Sequence, residues 1–375
     1  MKKIIFKKLS NEILIFFLIS SLALTLIVWV IQAVNYLDIV TEDGHSFGVY
    51  FKYTILSLPK IFSQLLPFTF FLSIFYIINL YEEKNQLLVY WTHGVTKKEF
   101  IDNIIKFSLI FLIMQLLLTL IIAPYTNNKS RSFIRASTLD FFPNLIKPKK
   151  FIDTVENLTI FIDSKNSKGD YENIILKDKT NINNIQTIIA QTGKIVSVND
   201  QKVLLLNNGQ IIQTNAKKEI TTFNFKETQF DLSKYSTKTT TYPKIQELET
   251  EKIILCTKSL LEDSREELLF DDLQCKKGFL DSLIQELFKR IYLPIYIPLI
   301  ALIASILILR SKNSYKYSIF KVYIFTSGVF FLILSQITLK FAGINSLYNI
   351  LFLIIPIFSF LIIYTIFTNK LNLDK

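Results

Sequence analysis

Long runs without charged residues divide the chain into six apolar segments. A helix needs roughly 20 residues, within a range of about 17–25, to cross the hydrocarbon core of a bilayer. The runs are Ile13–Val34, Tyr53–Tyr81 with one interruption at Lys60, Phe107–Pro124, Ile291–Leu309, Val322–Leu339 and Phe341–Asn369. Core helices of soluble proteins are shorter and keep a polar face. The pattern therefore predicts six membrane-spanning helices.

The middle of the chain follows another pattern, in which short β-branched runs alternate with turn-forming residues. The predicted strands are Leu158–Asp163, Asn173–Lys177, Thr187–Gln191, Lys194–Val198, Val203–Leu206, Ile211–Thr214, Ile220–Phe225 and Thr228–Leu232. A turn is predicted at Asn207-Asn208-Gly209 and another over Ser164–Asp170. Such spacing is typical of an antiparallel sandwich or barrel. The fold class predicted is a membrane α-helical protein, with three plus three spans and an inserted all-β domain.

The return from the β domain to the membrane has two parts. Ser236–Lys277 is polar and is predicted to be a partly helical linker, whereas Phe279–Arg290 has the apolar spacing of an amphipathic helix that runs into span four. The predicted domains are residues 1–124 with spans one to three, 125–275 with the β domain and linker, and 276–375 with the amphipathic helix and spans four to six.

Basic residues predict the orientation. Lys2, Lys3, Lys7 and Lys8 precede the first span, and Arg310–Lys321, between spans four and five, is also basic. Positive charge favours the cytoplasmic side, so both chain ends are expected there.

The first apolar run is too long for a signal peptide, and no small-residue cleavage site follows it. It is predicted to be a retained helix.

The net charge of +11 raises the question of nucleic-acid binding. Much of the excess lies near helix ends, where membrane anchoring and topology explain it better. One basic cluster follows span three, on the predicted periplasmic side: Lys129, Arg131, Arg135, Lys147, Lys149 and Lys150. The rule for positive charge weakens for long translocated domains, so the orientation stands, but the cluster requires another explanation.

The sequence has no pattern typical of a nucleotide-binding loop, a proton relay, a metal site or a catalytic site. Gly193-Lys194 is the only Gly-Lys pair and has neither the upstream glycine nor the following Ser or Thr of a nucleotide-binding loop. No carboxylate lies deep in a span, as a proton relay would require. His45 and His93 have no neighbours in sequence that would complete a metal or catalytic site. The sequence predicts a non-enzymatic protein without a cofactor, whose energy comes from a partner.

Two cysteines, Cys256 and Cys275, fall in the predicted linker. A disulfide between them is possible if this part is periplasmic, where the environment is oxidising. The sequence leaves both states open.

Span two and the segment after it hold the most specific pattern. Pro59 and Pro67 are eight residues apart, and proline frees carbonyl groups and bends a membrane helix, although a bent packing helix has the same pattern. Tyr81–Thr96 combines a polar turn, an amphipathic stretch and Gly94 to end it. Such a helix can be gripped by a soluble motor protein or can lie on the lipid surface.

These residues, taken in order, resemble the lipopolysaccharide export permease family LptF/LptG, and the LptF type most closely. The segments that carry the resemblance are Thr25, Val28-Trp29, Gln32, Leu37-Asp38, Gly44, Ser46-Phe47-Gly48, Leu58-Pro59-Lys60, Leu65-Leu66-Pro67, Gln86-Leu87, Gly94-Val95-Thr96, residues 156–162, 193–196 and 206–209, and Arg290 with Pro294. The resemblance covers nearly the whole chain.

The resemblance implies half of the membrane part of an ABC transporter in the inner membrane. Its partners would be an LptG-like homologous permease in a heterodimer, an LptB-like ATPase dimer and an LptC-like bitopic jellyroll protein. The substrate would be lipopolysaccharide, extracted from surrounding membrane lipid and passed to a periplasmic jellyroll-like β domain. Nucleic acid is not expected as a partner.

The family also implies a cytoplasmic coupling helix at residues 81–99 that contacts the ATPase. The predicted ATPase-coupling residues are Glu82, Glu83, Gln86, Leu87 and Gly94. The family has glutamate eight residues before the glycine, and this chain has Gln86 there. Glu82 and Glu83, one turn earlier, are candidates to replace it.

The substrate implied by the resemblance is acylated and phosphorylated, which gives the basic residues a second explanation. Lys52, Lys60, Lys129, Arg131 and Lys340 are predicted to bind lipopolysaccharide phosphates at a periplasmic rim through charge-assisted hydrogen bonds. Spans one, two and five would supply the apolar wall of the cavity, and spans one and five would face the partner permease. Interfacial anchoring is the alternative for each of these side chains.

Two other interpretations remain open. The chain can be the LptG-type partner subunit, which shares the layout, or a membrane sensor or scaffold with a periplasmic binding domain. A sensor would normally carry a cytoplasmic output domain, and few residues follow the last span.

Overall fold

The computed structural model describes residues 2–41, 45–136, 148–153, 157–166, 170–181, 184–198, 201–215, 219–232, 244–261, 277–343 and 346–373. Within these residues, six helical segments are long and apolar enough to cross a membrane: Lys2–Thr41, Phe47–Glu83, Lys97–Ile134, Leu280–Leu309, Tyr317–Phe341 and Tyr348–Lys370. With the antiparallel β-sheet between the third and the fourth, they confirm the predicted fold class. We refer to these segments as spans one to six.

The helices of the described chain are numbered here in order. They are α1 Lys2–Asn35, α2 Asp38–Thr41, α3 Phe47–Leu56, α4 Leu58–Glu83, α5 Gln86–Thr92, α6 Lys97–Leu117, α7 Ala123–Ala136, α8 Thr250–Leu261, α9 Leu280–Ser305, α10 Tyr317–Phe341 and α11 Ser346–Leu373. A π-helical turn, Leu118–Ile122, joins α6 to α7, and short 3-10 helices lie at Ile245–Glu247, Lys277–Phe279 and Ile306–Leu309.

The chain forms two compact units. The first comprises Met1–Val30, Ser57–Asn128 and Lys244–Lys375, and the second comprises Ile31–Leu56 and Lys129–Pro243. Helix α8, which lies in the predicted linker, therefore belongs to the unit of the membrane helices. The predicted amphipathic segment Phe279–Arg290 is the first part of the continuous helix α9.

Span four is the centre of the helical unit. In its most apolar 18-residue window 78% of the residues are buried by the protein, whereas the corresponding share in span six is 11%. Spans one, three, five and six have many apolar residues that the rest of the protein does not cover. Because a helix that is apolar on all sides must be surrounded by apolar material, these residues suit contact with lipid or with a partner protein.

Span two is broken where its first proline lies. Helix α3 ends at Leu56 and α4 begins at Leu58, with Pro59 in its first turn. Proline fits this position because the first helical N–H groups have no partner within the helix. Pro59 thus starts a helix, and Pro67 is the proline inside α4.

The described β-strands form one sheet of six strands in chain order, and each pairs antiparallel with the next. They are β1 Phe151–Ile152, β2 Leu158–Lys165, β3 Tyr171–Asp178, β4 Asn184–Val198, β5 Gln201–Asn215 and β6 Ile220–Asp231. One face buries a cluster that includes Ile160, Ile174, Ile188 and Leu206.

The sheet corrects the predicted strand lengths, because three pairs of predicted short strands are three long strands. The predicted turn at 207–209 lies inside β5, with Ala190 of β4 opposite Gly209. Asn208 has a left-handed φ of 49°, and a Cβ at Gly209 would collide with the carbonyl oxygen of Ile189. Asn208 thus adopts an irregular backbone conformation within the strand, and Gly209 allows the neighbouring strand to approach closely. Both requirements select the residue types that are also typical of a turn. Part of the other predicted turn, residues 167–169, lies outside the described residues.

Candidate functional site

A cavity of about 680 Å³ lies between spans two, four and five. Its lining consists of Gln64, Pro67 and Phe68 of α4, Lys289, Leu293 and Tyr296 of α9, and Val329, Leu332, Ile333, Ser335, Gln336, Ile337 and Lys340 of α10. We call it the interhelical cavity. Its wall is mainly apolar and its two charged residues are both lysines. A site of this composition suits an amphiphile with an apolar chain and an anionic group.

The two lysines lie at one end of the helical unit. Gln285 of α9 donates a hydrogen bond of 2.8 Å to the carbonyl oxygen of Leu339, so the start of α9 lies beside the end of α10. We call this end, which also holds Lys60 at the start of α4, the cavity end. The opposite end, where α4 finishes and α5 begins, is the α5 end.

A second, smaller cavity of about 50 Å³ adjoins the first, with Gln64, Lys289 and Leu293 in both linings. Among the described residues that line it, Lys60, Lys289 and Arg290 are basic and Glu286 is acidic. Its other polar lining residues are Ser63, Gln115, Thr119, Asn127 and Gln246. The excess of positive charge beside an apolar cavity favours an anionic headgroup.

Arg290 fixes one side of the smaller cavity. Its guanidinium is 3% exposed and donates to Oε1 of Glu286 at 3.1 Å, to Oγ1 of Thr250 at 2.8 Å and to the carbonyl oxygen of Leu248 at 2.9 Å. A longer hydrogen bond of 3.3 Å reaches the carbonyl oxygen of Gln246. These contacts fasten the segment before α8 to span four.

Of the predicted phosphate-binding residues, Lys60 and Lys340 lie in this pair of cavities. The Nζ of Lys60 donates to Oε1 of Gln246 at 3.0 Å, so the segment held by Arg290 in turn positions Lys60. Lys340 lies at the end of α10 and lines the interhelical cavity. The lining of this cavity comes from spans two, four and five, whereas spans one, two and five were predicted to form its wall.

The other three predicted residues, Lys52, Lys129 and Arg131, belong to the second unit. The Nζ of Lys52 lies 5.1 Å from the ring centroid of Phe133. The guanidinium of Arg131 lies 5.8 Å from the ring centroid of Tyr53 and is 7% exposed. Arg131 is therefore packed within its own unit, and Lys129 is exposed on α7. Lys147 and the side chain of Arg135 lie outside the described residues.

A short helix, α5, follows span two and lies within the predicted coupling segment, residues 81–99. Leu87 and Tyr90 are buried, and the Tyr90 hydroxyl donates to the carbonyl oxygen of Ile5 at 3.1 Å. Burial raises the pKa of the Tyr90 hydroxyl to about 12. Leu87 thus anchors α5 to the bundle, while Leu88 and Val89 are exposed.

Backbone geometry places both ends of α5. Asn85, with a left-handed φ of 57°, precedes Gln86 at its start, and Gly94, with φ 72°, follows its end. Thr96 and Glu99 then form a capping box that starts α6, with Glu99 N donating to Thr96 Oγ1 at 3.2 Å. Gly94 is therefore required for its backbone conformation.

Glu82 and Glu83 both have partners within the chain. Glu82 Oε1 accepts a hydrogen bond of 2.7 Å from the backbone N of Lys312, and Glu83 Oε1 lies 3.3 Å from the Nζ of Lys321. An ATPase contact at Glu82, Glu83, Gln86, Leu87 and Gly94 stays a prediction, and Gln86 is the first residue of α5.

Sequence reasoning missed the role of Lys289, the hydrogen bonds of Arg290 and the exposure of Leu88 and Val89. The adjacent basic pair Lys289-Arg290, directly before a charge-free run of span length, was a signal for the first two. Periodicity in α5 did not separate buried from exposed residues, because the helix has only seven residues. Cys256 is buried and disulfide-bonded, and Cys275 lies outside the described residues.

Together, the fold and the site define a multi-pass membrane protein with an inserted antiparallel sheet and an interhelical cavity suited to an amphiphile. The family model described as "Lipopolysaccharide export system permease LptF/LptG" matches residues 8–370. The chain belongs to this family, as the resemblance predicted.

One relative is an uncharacterized protein of Rickettsia prowazekii (strain Madrid E), with 24% identity over 185 residues. The match covers 49% of this chain and 51% of the relative, so it spans about half the length of each.

Proposed function

We propose that this chain is one of two membrane subunits of an ATP-driven exporter that removes lipopolysaccharide from the inner membrane. The observation that carries the proposal is the pair of adjoining cavities. The interhelical cavity of about 680 Å³ offers an apolar wall to part of an acyl chain, while Lys60, Lys289 and Lys340 stand at the cavity end to receive phosphate.

The proposed orientation places the cavity end at the periplasmic face. The basic residues before span one and between spans four and five then lie in the cytoplasm, as the distribution of positive charge favours. In this orientation lipopolysaccharide enters from the outer leaflet of the inner membrane, and the β-sheet receives it in the periplasm. An LptC-like jellyroll protein is the proposed next carrier.

Energy for export is proposed to enter at the α5 end. The chain has no nucleotide-binding loop, so ATP is hydrolysed by an LptB-like ATPase dimer and not by this subunit. Leu88 and Val89 of α5 are exposed, and together with Gln86 they offer a short apolar and polar surface to that ATPase. The exposed faces of spans one and five are proposed to meet the LptG-like homologue.

Purification of the complex tests this proposal. We expect the tagged full-length chain to co-purify with a homologous six-span protein and an ATPase, and we expect purified lipopolysaccharide to stimulate ATP hydrolysis by the complex. Phospholipid vesicles without lipopolysaccharide are the control. A homodimer without an ATPase, or equal ATP hydrolysis with and without lipopolysaccharide, would contradict the proposal. Because the family includes both permease types, the identity of the co-purified homologue decides between the LptF and the LptG role.

A further inference from the structure

The last turn of α4 is fastened to the connection between spans four and five. Besides the bond from Lys312 N to Glu82, the Nζ of Lys312 donates to the carbonyl oxygen of Glu83 at 2.9 Å. Oε1 of Glu83 also accepts a hydrogen bond from the Nζ of Lys321, which lies in the second turn of α10. We call these three contacts the Glu82–Glu83 clamp.

Asn79, one turn earlier in α4, supports the clamp from the side. Its Nδ2 donates to Oε1 of Glu83 at 2.9 Å, and its Oδ1 accepts a hydrogen bond of 3.4 Å from the hydroxyl of Tyr317, the first residue of α10. Only Lys84 and Asn85 separate Glu83 from the first residue of α5. A displacement of α5 therefore acts directly on the clamp.

Spans two and five also pack tightly against each other nearer the middle of both helices. A Cβ at Gly328 of α10 would collide with the ring of Phe71 in α4. The neighbouring ring of Phe325 lies 5.3 Å from Phe75 and 5.9 Å from Phe71 between centroids. Packed interiors resist compression, so this contact is a fixed point about which the two helices can tilt.

The interhelical cavity lies on the other side of this fixed point. At a rise of about 1.5 Å per helical residue, Gly328 is about 10 Å from Lys321 and about 18 Å from Lys340 along α10. A small displacement at the clamp is thus enlarged nearly twofold at the lysine that lines the cavity. The hydrogen bond from Gln285 to the carbonyl oxygen of Leu339 links α9 to α10. A tilt of α10 relative to α4 therefore changes the separation of both α9 and α10 from α4.

We propose that Lys312 and Lys321 are positioning residues that transmit the movement of α5 to the interhelical cavity, with the Gly328–Phe71 contact as the pivot. The inference rests on the proposed function, in which α5 receives the movement of the ATPase. It assigns Glu82 to the connection between spans four and five, and Glu83 to that connection and to span five of the same chain. The sequence had made them candidates for the ATPase contact, and the two roles give different results when charges are exchanged.

A charge exchange in the reconstituted complex separates the two roles. We expect Lys321→Glu to lower the lipopolysaccharide-stimulated ATPase rate and the transport per ATP by about fivefold, the upper range for an exposed ion pair, while the basal ATPase rate stays unchanged. Glu83→Lys combined with Lys321→Glu should restore both quantities, because the pair is re-formed with reversed charges. The matched control is Lys316→Glu, an exposed lysine in the same connection, which should behave as the wild type.

The outcomes distinguish the two proposals. If the wild-type complex shows no stimulation by lipopolysaccharide, the proposed function fails. If the wild type is stimulated but Lys321→Glu matches Lys316→Glu, the transmission through the clamp is overturned. If Lys321→Glu is impaired and the double variant is not restored, Glu83 acts on another partner and the inference is again wrong.

Discussion

Arg290 donates a hydrogen bond of 2.9 Å to the carbonyl oxygen of Leu248, which lies 42 residues earlier in the chain. Through this contact span four holds the segment that returns from the β-sheet, and that segment holds Lys60 through Gln246. The buried Arg290 thus positions Lys60 indirectly, through the segment that contains Gln246 and Leu248.

We expect Arg290→Met to lower the free energy of unfolding by about 2–4 kcal/mol, because Glu286, Thr250 and two backbone carbonyl oxygens lose their donor. Arg290→Lys should recover only part of this, since an ammonium cannot reproduce the fork of a guanidinium. Thermal unfolding in detergent measures both. Lys289→Met, at the neighbouring and more exposed position, is the control, and a loss there as large as in Arg290→Met would contradict the account.

Gly94 provides a second test of local geometry. Its φ is 72°, and apart from its chain neighbours no described residue has a heavy atom within 4 Å of the position that a Cβ would occupy, so the cost of a side chain is conformational and not steric. Gly94→Ala should lower the free energy of unfolding by about 1 kcal/mol, and Gly94→Asn by less, because asparagine tolerates this conformation better. Gly278→Ala, also without neighbours within 4 Å, is the control at ordinary φ. Equal effects of alanine at both glycines would contradict the role of Gly94.

The pivot contact is tested by a pair of substitutions. Gly328→Ala should lower the free energy of unfolding by about 1–3 kcal/mol, because the added methyl group meets the ring of Phe71. In a Phe71→Leu background the same substitution should cost less, since the smaller side chain leaves room. A double-mutant cycle of thermal unfolding measures the difference, and strictly additive effects would contradict direct packing of the two residues.

The sequence predicted the large elements well, because their signals are local. Six apolar runs, of which only Tyr53–Tyr81 contains a charged residue, located the spans, and Pro59 marked the place where span two breaks. The strands were predicted too short, since Asn208 and Gly209 have the composition of a turn and only the neighbouring strand β4 shows why they lie inside β5. Lys60 and Lys340 were predicted to bind phosphate because of the substrate that the resemblance implies, and this role stays a prediction. Their relation to Lys289, Arg290 and Glu286 depends on contacts between helices that sequence spacing does not encode.

The predicted phosphate-binding residues separate into two groups that should respond differently. Lys340 is exposed at the interhelical cavity, so Lys340→Gln should weaken lipopolysaccharide binding by about tenfold, the value of one charge-assisted hydrogen bond, with unchanged thermal stability. Arg131 is packed near Tyr53, so Arg131→Gln should lower the stability of the protein first. Binding measured by titration and unfolding measured on the same samples distinguish these effects. A Lys340→Gln variant that binds as the wild type does would remove this residue from the site.

The most direct test of the central claim, that the interhelical cavity holds lipopolysaccharide, is photocrosslinking from two positions on one helix. Ile333 and Phe330 of α10 are 53% and 59% exposed, but only Ile333 lines the cavity. With a photoreactive amino acid at each position in the full complex, we predict lipopolysaccharide adducts chiefly at Ile333 and a marked decrease there once ATP is added. Equal adduct yields at the two positions, or adducts at Phe330 alone, would contradict the account.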